Sequence, residues 1–221
     1  MIVKTEKKIY PSIFIHIPKC AGSSIKEMLK DLNEKEDIHS KLKDDIEYLK
    51  EKNTKNIDKY FIFTVLRNPW DRIVSYYFFY KDIIKTNESI AQKAKKFNFK
   101  NWIACIYENP NDFSFIHDNC VDYLSYEKNV MIDYIINFHE FSKDVEFLKE
   151  LLRFNVPTLH INPSKHEFYK KYYSDKEIEM VGEIYKRDIE FFDFSFRKTN
   201  QMKKIKNDYK IDIIRNRKIS L

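Results

Sequence analysis

Glycine is what this chain has least of: two residues in 221, against an average usage of about 7%. The nucleotide loop G-x-x-x-x-G-K-[ST] needs two glycines at fixed spacing and a lysine just before the Ser/Thr, so a Walker A site is excluded. Cysteine is nearly as sparse. Cys20, Cys105 and Cys120 form an odd set with no C-x-x-C pair, which argues against a disulfide framework and suits a reducing compartment. His117 and Cys120 lack the second ligand pair that a structural zinc site needs. No apolar run approaches the ~18 residues of a membrane span. The opening MIVKTEKKIY has no apolar stretch of the signal-peptide kind. Internal repeats and Pro/Gly/Ser-rich linkers are also missing. Together these absences predict a soluble, cytoplasmic protein.

What is present is enough to build a core. The chain is 43% hydrophobic and 16% aromatic, the right size and composition for one domain. Its net charge is +6, but the excess is not spread evenly. From Arg197 to Leu221 nine Lys/Arg face two Asp, a local balance of +7 that leaves −1 for residues 1–196. The expected organisation is therefore a single domain over 1–196 and a basic extension over 197–221. That extension is a candidate for peripheral contact with an anionic membrane surface or a polyanion, and the plainer reading is a solvated tail.

Strand and helix signals alternate along the chain. Ser12 to Ile17 is a β-branched and aromatic run halted by Pro18. Ser23 or Ser24 then offers an N-cap to a helix with Ile25, Met28, Leu29 and Leu32 on one face. Tyr60 to Leu66, YFIFTVL, is apolar on both faces, as expected of a parallel strand between helices. Asn68 caps the next helix, Pro69 takes its first position, and Asp71 sits where the helix dipole favours an anion. Met131 to Phe138 reads as a third strand, followed by a helix from Ser142 with Val145, Leu148 and Leu152 inward. Ser174 and Glu177 form a capping box ahead of a helix carrying Ile178, Val181, Tyr185, Ile189 and Phe192. The predicted fold class is α/β, a three-layer α/β/α arrangement around a central parallel sheet.

Two constellations carry chemistry. In SIFIHIPKCAGSSIKEML a strand, a tight loop containing Gly22 and a helix N-terminus aim backbone N–H groups at one spot, with Lys19, Ser23 and Ser24 adding a cation and two hydroxyls; this is an anion site. In FTVLRNPWDRIVSYY two of only seven arginines occur. Arginine's planar fork suits bidentate phosphate contacts, so its use in a lysine-rich chain marks Arg67 and Arg72. Ligands of open α/β sheets bind at the carboxyl ends of the strands. Lys19 and Arg67 are both expected there, which suggests a ligand with phosphates at both ends. The plain alternative is that Arg67 and Asp71, or Arg72 and an acidic neighbour, form structural pairs.

These residues resemble the family-2 type of carbohydrate sulfotransferases, including bacterial members. The likeness extends through DYIINFHEF, VPTLHINPS and YYSDKEIEMVGEIYKRDIEFFDFSF, and so covers Tyr10 to Phe196. It implies a P-loop-NTPase-like sulfotransferase fold. It also implies 3′-phosphoadenosine 5′-phosphosulfate (PAPS) as donor, with adenosine 3′,5′-bisphosphate as product. On this resemblance Lys19, Cys20, Ala21, Gly22, Ser23 and Ser24 hold the 5′-phosphosulfate, and Arg67 and Ser75 hold the 3′-phosphate. A loop at 162–165, with Ser164, adds a further contact. The acceptor would be a hydroxyl of a carbohydrate, polysaccharide or glycoconjugate, met by residues 34–59 and 83–118.

Sulfuryl transfer depends on positioning and electrostatics, as phosphoryl transfer does. Lys19 is the expected catalytic cation, and no metal is expected because Lys, N–H groups and hydroxyls can hold the leaving anion. A sugar hydroxyl needs a base, for which histidine is suited near neutral pH. His39 ranks first, since relatives often carry a histidine before the second motif. His117 ranks second, although Asp118, Asn119 and Cys120 replace the Pro-Gln that often follows it in relatives. His16 reads as a packed core residue in the first strand. Two rivals remain: a cysteine phosphatase using Cys20, for which Lys26 replaces the needed arginine, and a non-catalytic nucleotide or polyanion binder acting through the basic extension. No nucleic-acid module is recognisable.

Overall fold

The computed structural model describes residues 1–3, 10–32, 39–82, 89–154, 156–158 and 166–216, with side chains through residue 212. In chain order the elements are β1 (Ile2–Val3), β2 (Ser12–Ile15), α1 (Gly22–Met28), α2 (Leu42–Glu51), β3 (Phe61–Leu66), α3 (Pro69–Asp82), α4 (Ser89–Lys96) and α5 (Phe99–Glu108). They continue with α6 (Ser114–His117), α7 (Cys120–Tyr123), β4 (Ser125–Tyr126), β5 (Asn129–Val130), β6 (Tyr134–Asn137), α8 (Phe141–Leu152), α9 (Asp175–Ile184), α10 (Lys186–Phe192) and α11 (Asp208–Asn216). The chain forms two compact units: Met1–Leu66, Cys120–Ile161 and Lys204–Leu221 in the first, Arg67–Asn119 and Asn162–Lys203 in the second.

The first unit is built on a sheet of order β1-β2-β3-β6. β2, β3 and β6 run parallel, with Ile15 opposite Thr64 and Leu66 opposite Asn137. The α/β expectation holds, with one difference: Ile2–Val3 pairs antiparallel to β2, so the sheet is mixed. A two-residue strand has too little pattern to be read in advance. All six residues of β3 are buried, as its doubly apolar sequence requires. Val145, Leu148 and Leu152 of α8 are buried as their spacing predicts. The Thr64 hydroxyl donates to the Ile15 carbonyl at 2.7 Å, tying the end of β2 to the middle of β3.

The segment after Lys203 belongs to this unit. Ile135 N–H donates to the Ile205 carbonyl (3.2 Å), Asn207 N–H to the Asp133 carbonyl (2.7 Å), and Lys206 bridges to Tyr134. Asp133 also accepts from Asn207 Nδ2 at 2.8 Å and Lys210 Nζ at 2.9 Å. These bonds cover the outer side of β6, which would otherwise be an open edge.

The second unit is organised around α3. Ten of its residues are buried, the signature of a helix surrounded by others. Asn68 caps it: its Oδ1 accepts from Trp70 N–H at 3.2 Å and its carbonyl from Arg72 N–H at 2.8 Å. The Trp70 indole donates to the Ile178 carbonyl at 2.9 Å, and the Tyr173 hydroxyl to the Trp70 carbonyl at 2.7 Å, which fasten α9 and its approach to α3. The expected capping box is present, with Ser174 N–H on the Glu177 carboxylate at 2.8 Å. The helix it starts is broken at Tyr185 into α9 and α10.

Candidate active site

In the first unit, the carboxyl end of β2 leads through His16 to Ala21 into α1. Lys19 and Ala21 have φ of 63° and 62°, left-handed values that cost a non-glycine residue about 1–3 kcal/mol and collect at ligand-binding turns. Cys20 N–H donates to the Ile17 carbonyl at 3.3 Å and Ser24 N–H to the Ala21 carbonyl at 3.1 Å. The cap of α1 is therefore Ala21, and Ser23 and Ser24 stand inside the first turn instead of before it. Helix α1 also ends sooner than its pattern suggests: it stops at Met28, and Lys30–Leu32 is a 3₁₀ turn. Ser23 is exposed, Lys19 half-buried, and Ser24 buried. Cys20 is buried as well, the setting of a packed loop residue and not of an accessible thiol nucleophile.

Gly22 does not have positive φ. Its lack of a side chain serves close packing: a Cβ there would fall within the His16 ring, 2.7 Å from Cγ and closer still to Cδ2 and Nε2. His16, the first residue after β2, is buried, with its ring stacked on Phe14 at 6.0 Å. His39 also packs on it, 4.2 Å between ring centroids with a 58° tilt. His39 Nδ1 is 3.1 Å from the His16 carbonyl oxygen. A carbonyl only accepts, so Nδ1 carries the proton, and the lone pair of the neutral ring is on Nε2. The unit thus brings together the Lys19–Ser24 turn, His16 and His39.

The second unit holds the other constellation. The Arg67 fork is bidentate on Asp71, Nε at 2.8 Å and NH2 at 3.0 Å, with both side chains 6% exposed. Arg67 NH2 also lies 3.3 Å from His166 Nε2. Nδ1 of His166 donates to the Glu167 carbonyl at 2.7 Å, which leaves Nε2 to accept from the guanidinium. Sequence reasoning missed His166. The available signal was its position directly after the 162–165 loop. Ser75, two turns into α3, is buried. Arg72 is packed between the Tyr76 and Tyr185 rings at 5.6 and 5.4 Å, with NH1 on the Asp118 carbonyl at 3.3 Å. That is a structural role.

His117 is in this unit too, and its Nε2 donates to the Ile106 carbonyl at 3.1 Å. Burial pushes its pKa below the ordinary value of 6.5, against the opposing pull of the Ile106 hydrogen bond. Asn119 ties the same turn to its surroundings: Nδ2 donates to the carbonyls of His117 (3.0 Å) and Ile184 (3.1 Å), and Oδ1 accepts from Asp188 N–H. Ser164 and the 162–165 loop lie outside the described residues, as do 34–38 and 83–88 of the two acceptor segments.

A family model described as the sulfotransferase family matches residues 1–195. The chain belongs to the sulfotransferase family. No curated protein and no solved structure matches it. The matched span contains the Lys19–Ser24 turn, Arg67, Ser75 and the four histidines described above, His16, His39, His117 and His166. As a member, this sulfotransferase is an enzyme that moves a sulfuryl group from a sulfonate donor to an acceptor. Among the described residues no helix is long and apolar enough to cross a membrane.

Proposed function

We propose that this sulfotransferase uses PAPS and sulfates a hydroxyl of a carbohydrate or glycoconjugate, with His39 as general base. The observation that carries the reading is the Nδ1–H bond from His39 to the His16 carbonyl, 3.1 Å. With the proton on Nδ1, the basic nitrogen is Nε2 of an exposed residue in the unit that also holds the Lys19–Ser24 anion turn. His117, whose Nε2 is engaged by Ile106, is the weaker candidate.

The residues suit the donor. A left-handed turn feeding a helix N-terminus, with Lys19 and Ser23 beside it, is a setting for the 5′-phosphosulfate. Cys20, Ala21, Gly22 and Ser24 contribute backbone to the same turn. Arg67 and Ser75 are assigned to the 3′-phosphate, and Ser164 to the adjoining loop. PAPS supplies the activated sulfuryl group. The acceptor oxygen attacks sulfur, the bond from sulfur to the 5′-phosphate oxygen breaks, and the hydroxyl proton passes to His39 Nε2. Lys19 stabilises negative charge on the departing oxygen. Three cysteines with no C-x-x-C pair fit a cytoplasmic setting.

The test is thermal unfolding with adenosine 3′,5′-bisphosphate beside ADP and AMP. A ligand at about 100 times its Kd stabilises by about 2.7 kcal/mol. Selectivity for the 3′-phosphate is expected, and its loss in Arg67→Lys. Lysine keeps a cation beside Asp71 and removes only the planar fork, whereas alanine would leave Asp71 buried without its guanidinium partner. Equal stabilisation by all three nucleotides would rule out the PAPS assignment.

A further inference from the structure

The contact chain from Gly22 through His16 to His39 does more than fill space. A helix that begins at an anion turn needs no glycine at its first position when φ is negative, and Gly22 does not have positive φ. Its side chain is missing where the His16 ring lies. The ring cannot swing away freely, since Phe14 stacks on it at 6.0 Å with a 24° interplanar angle and His39 lies 4.2 Å off. His39 itself sits in the left-handed region, φ 56°, a conformation that a non-glycine residue keeps only where its surroundings hold it. Two holds come from the same residue, the His16 carbonyl on Nδ1 and the His16 ring against the imidazole.

We infer that His16 is a positioning residue: its ring is the spacer that sets the His39 imidazole relative to the start of α1, and Gly22 is small to admit that spacer. The inference deepens the reading of His39 as base. The distance between the anion turn and the proton acceptor is then set by the His16 ring, against which the His39 imidazole packs at 4.2 Å with a 58° tilt. An in-line transfer is sensitive to such a distance, because displacing a reacting group by about 1 Å can cost about 10²-fold in rate.

The experiment uses the full chain with ¹⁵N-labelled histidine and four variants: His16→Ala, His16→Phe, Gly22→Ala and the double Gly22→Ala/His16→Ala. His39→Ala assigns the His39 ring signals. Three readouts are taken: the His39 ring nitrogen shifts, which report tautomer and surroundings; affinity for adenosine 3′,5′-bisphosphate; and slow turnover of PAPS with water as acceptor, followed as bisphosphate release. Gly22→Ala and His16→Ala are each expected to move the His39 signals and lower turnover by about 10- to 100-fold. Bisphosphate affinity in His16→Ala should stay within about threefold, and His16→Phe should recover turnover by restoring the ring. Because the three atoms nearest an alanine methyl at 22 all belong to the His16 ring, the double variant should be no worse than His16→Ala alone, a non-additive result. Unchanged His39 signals in both single variants, or strictly additive losses, would overturn the inference. Wild-type turnover in His39→Ala with the spectral coupling intact would remove the base assignment and leave the spacer role standing.

Discussion

The missing side chain at position 22 and the proton on His39 Nδ1 are single-residue facts from which the local chemistry follows. His117 offers a contrasting case. Its ring is spent on the Ile106 carbonyl, and burial holds it below its ordinary pKa of 6.5. In the unfolded chain the same imidazole takes up a proton first as pH falls. The stability tied to its neutral form is therefore complete above about 6.5 and declines as pH drops through the lower folded value. Denaturant midpoints measured from pH 8 to 5 should fall toward the acid end. Substituting His117→Gln, which keeps a donor for Ile106 but does not titrate, should flatten that slope. A slope unchanged by the substitution would place the acid sensitivity in other groups.

Elements show where local signals were strong and where they were not. The Ser174/Glu177 box, the Asn68 cap and the doubly buried β3 were legible because each rests on neighbours in sequence. Removing the Ser174 hydroxyl in Ser174→Ala should cost about 1 kcal/mol, read as a lowered unfolding midpoint with an unchanged denaturant slope. Turns were far less legible. Among the described residues, the left-handed positions are occupied by Lys19, Ala21, His39, Asn53, Asn56, Glu127, Lys128, Arg153 and Asp193, and by neither glycine. The β4–β5 hairpin turns through Glu127 and Lys128, where a two-residue turn ordinarily announces itself with Asn-Gly. In a chain so poor in glycine, that cue is missing where the backbone most needs it. The start of α1 shows the same effect, since the glycine there answers to a ring and not to φ.

For the molecule as a whole, the basic C-terminal stretch changes meaning. Its charge suggested a solvated extension, and the residues that decide its place are few: Ile211 is buried at 1% exposure, and Lys210 reaches both the Tyr60 carbonyl and Asp133 at 2.9 Å. Truncation after Lys203 should therefore lower the unfolding temperature and promote association through the uncovered β6 edge. Light scattering beside a thermal melt would check this, and a truncated chain that melts and stays monomeric like the full one would refute it. Deleting the stretch is thus a poor way to ask whether its charge binds anything. Charge reversal at the exposed Lys203 and Lys204 leaves the β6 cover in place.

The sequence by itself determined the α/β class, the buried strands, the strand–turn–helix with Lys19 and the family, because these depend on short-range periodicity, caps and local motifs. Only the tertiary structure decided that His166 joins the Arg67–Asp71 pair, that the His16 ring packs against both Gly22 and His39, and that residues 204–212 close the sheet. Each of those depends on groups that are not neighbours in the chain. Such pairings are fixed by packing and by the satisfaction of buried polar groups, which no local pattern encodes.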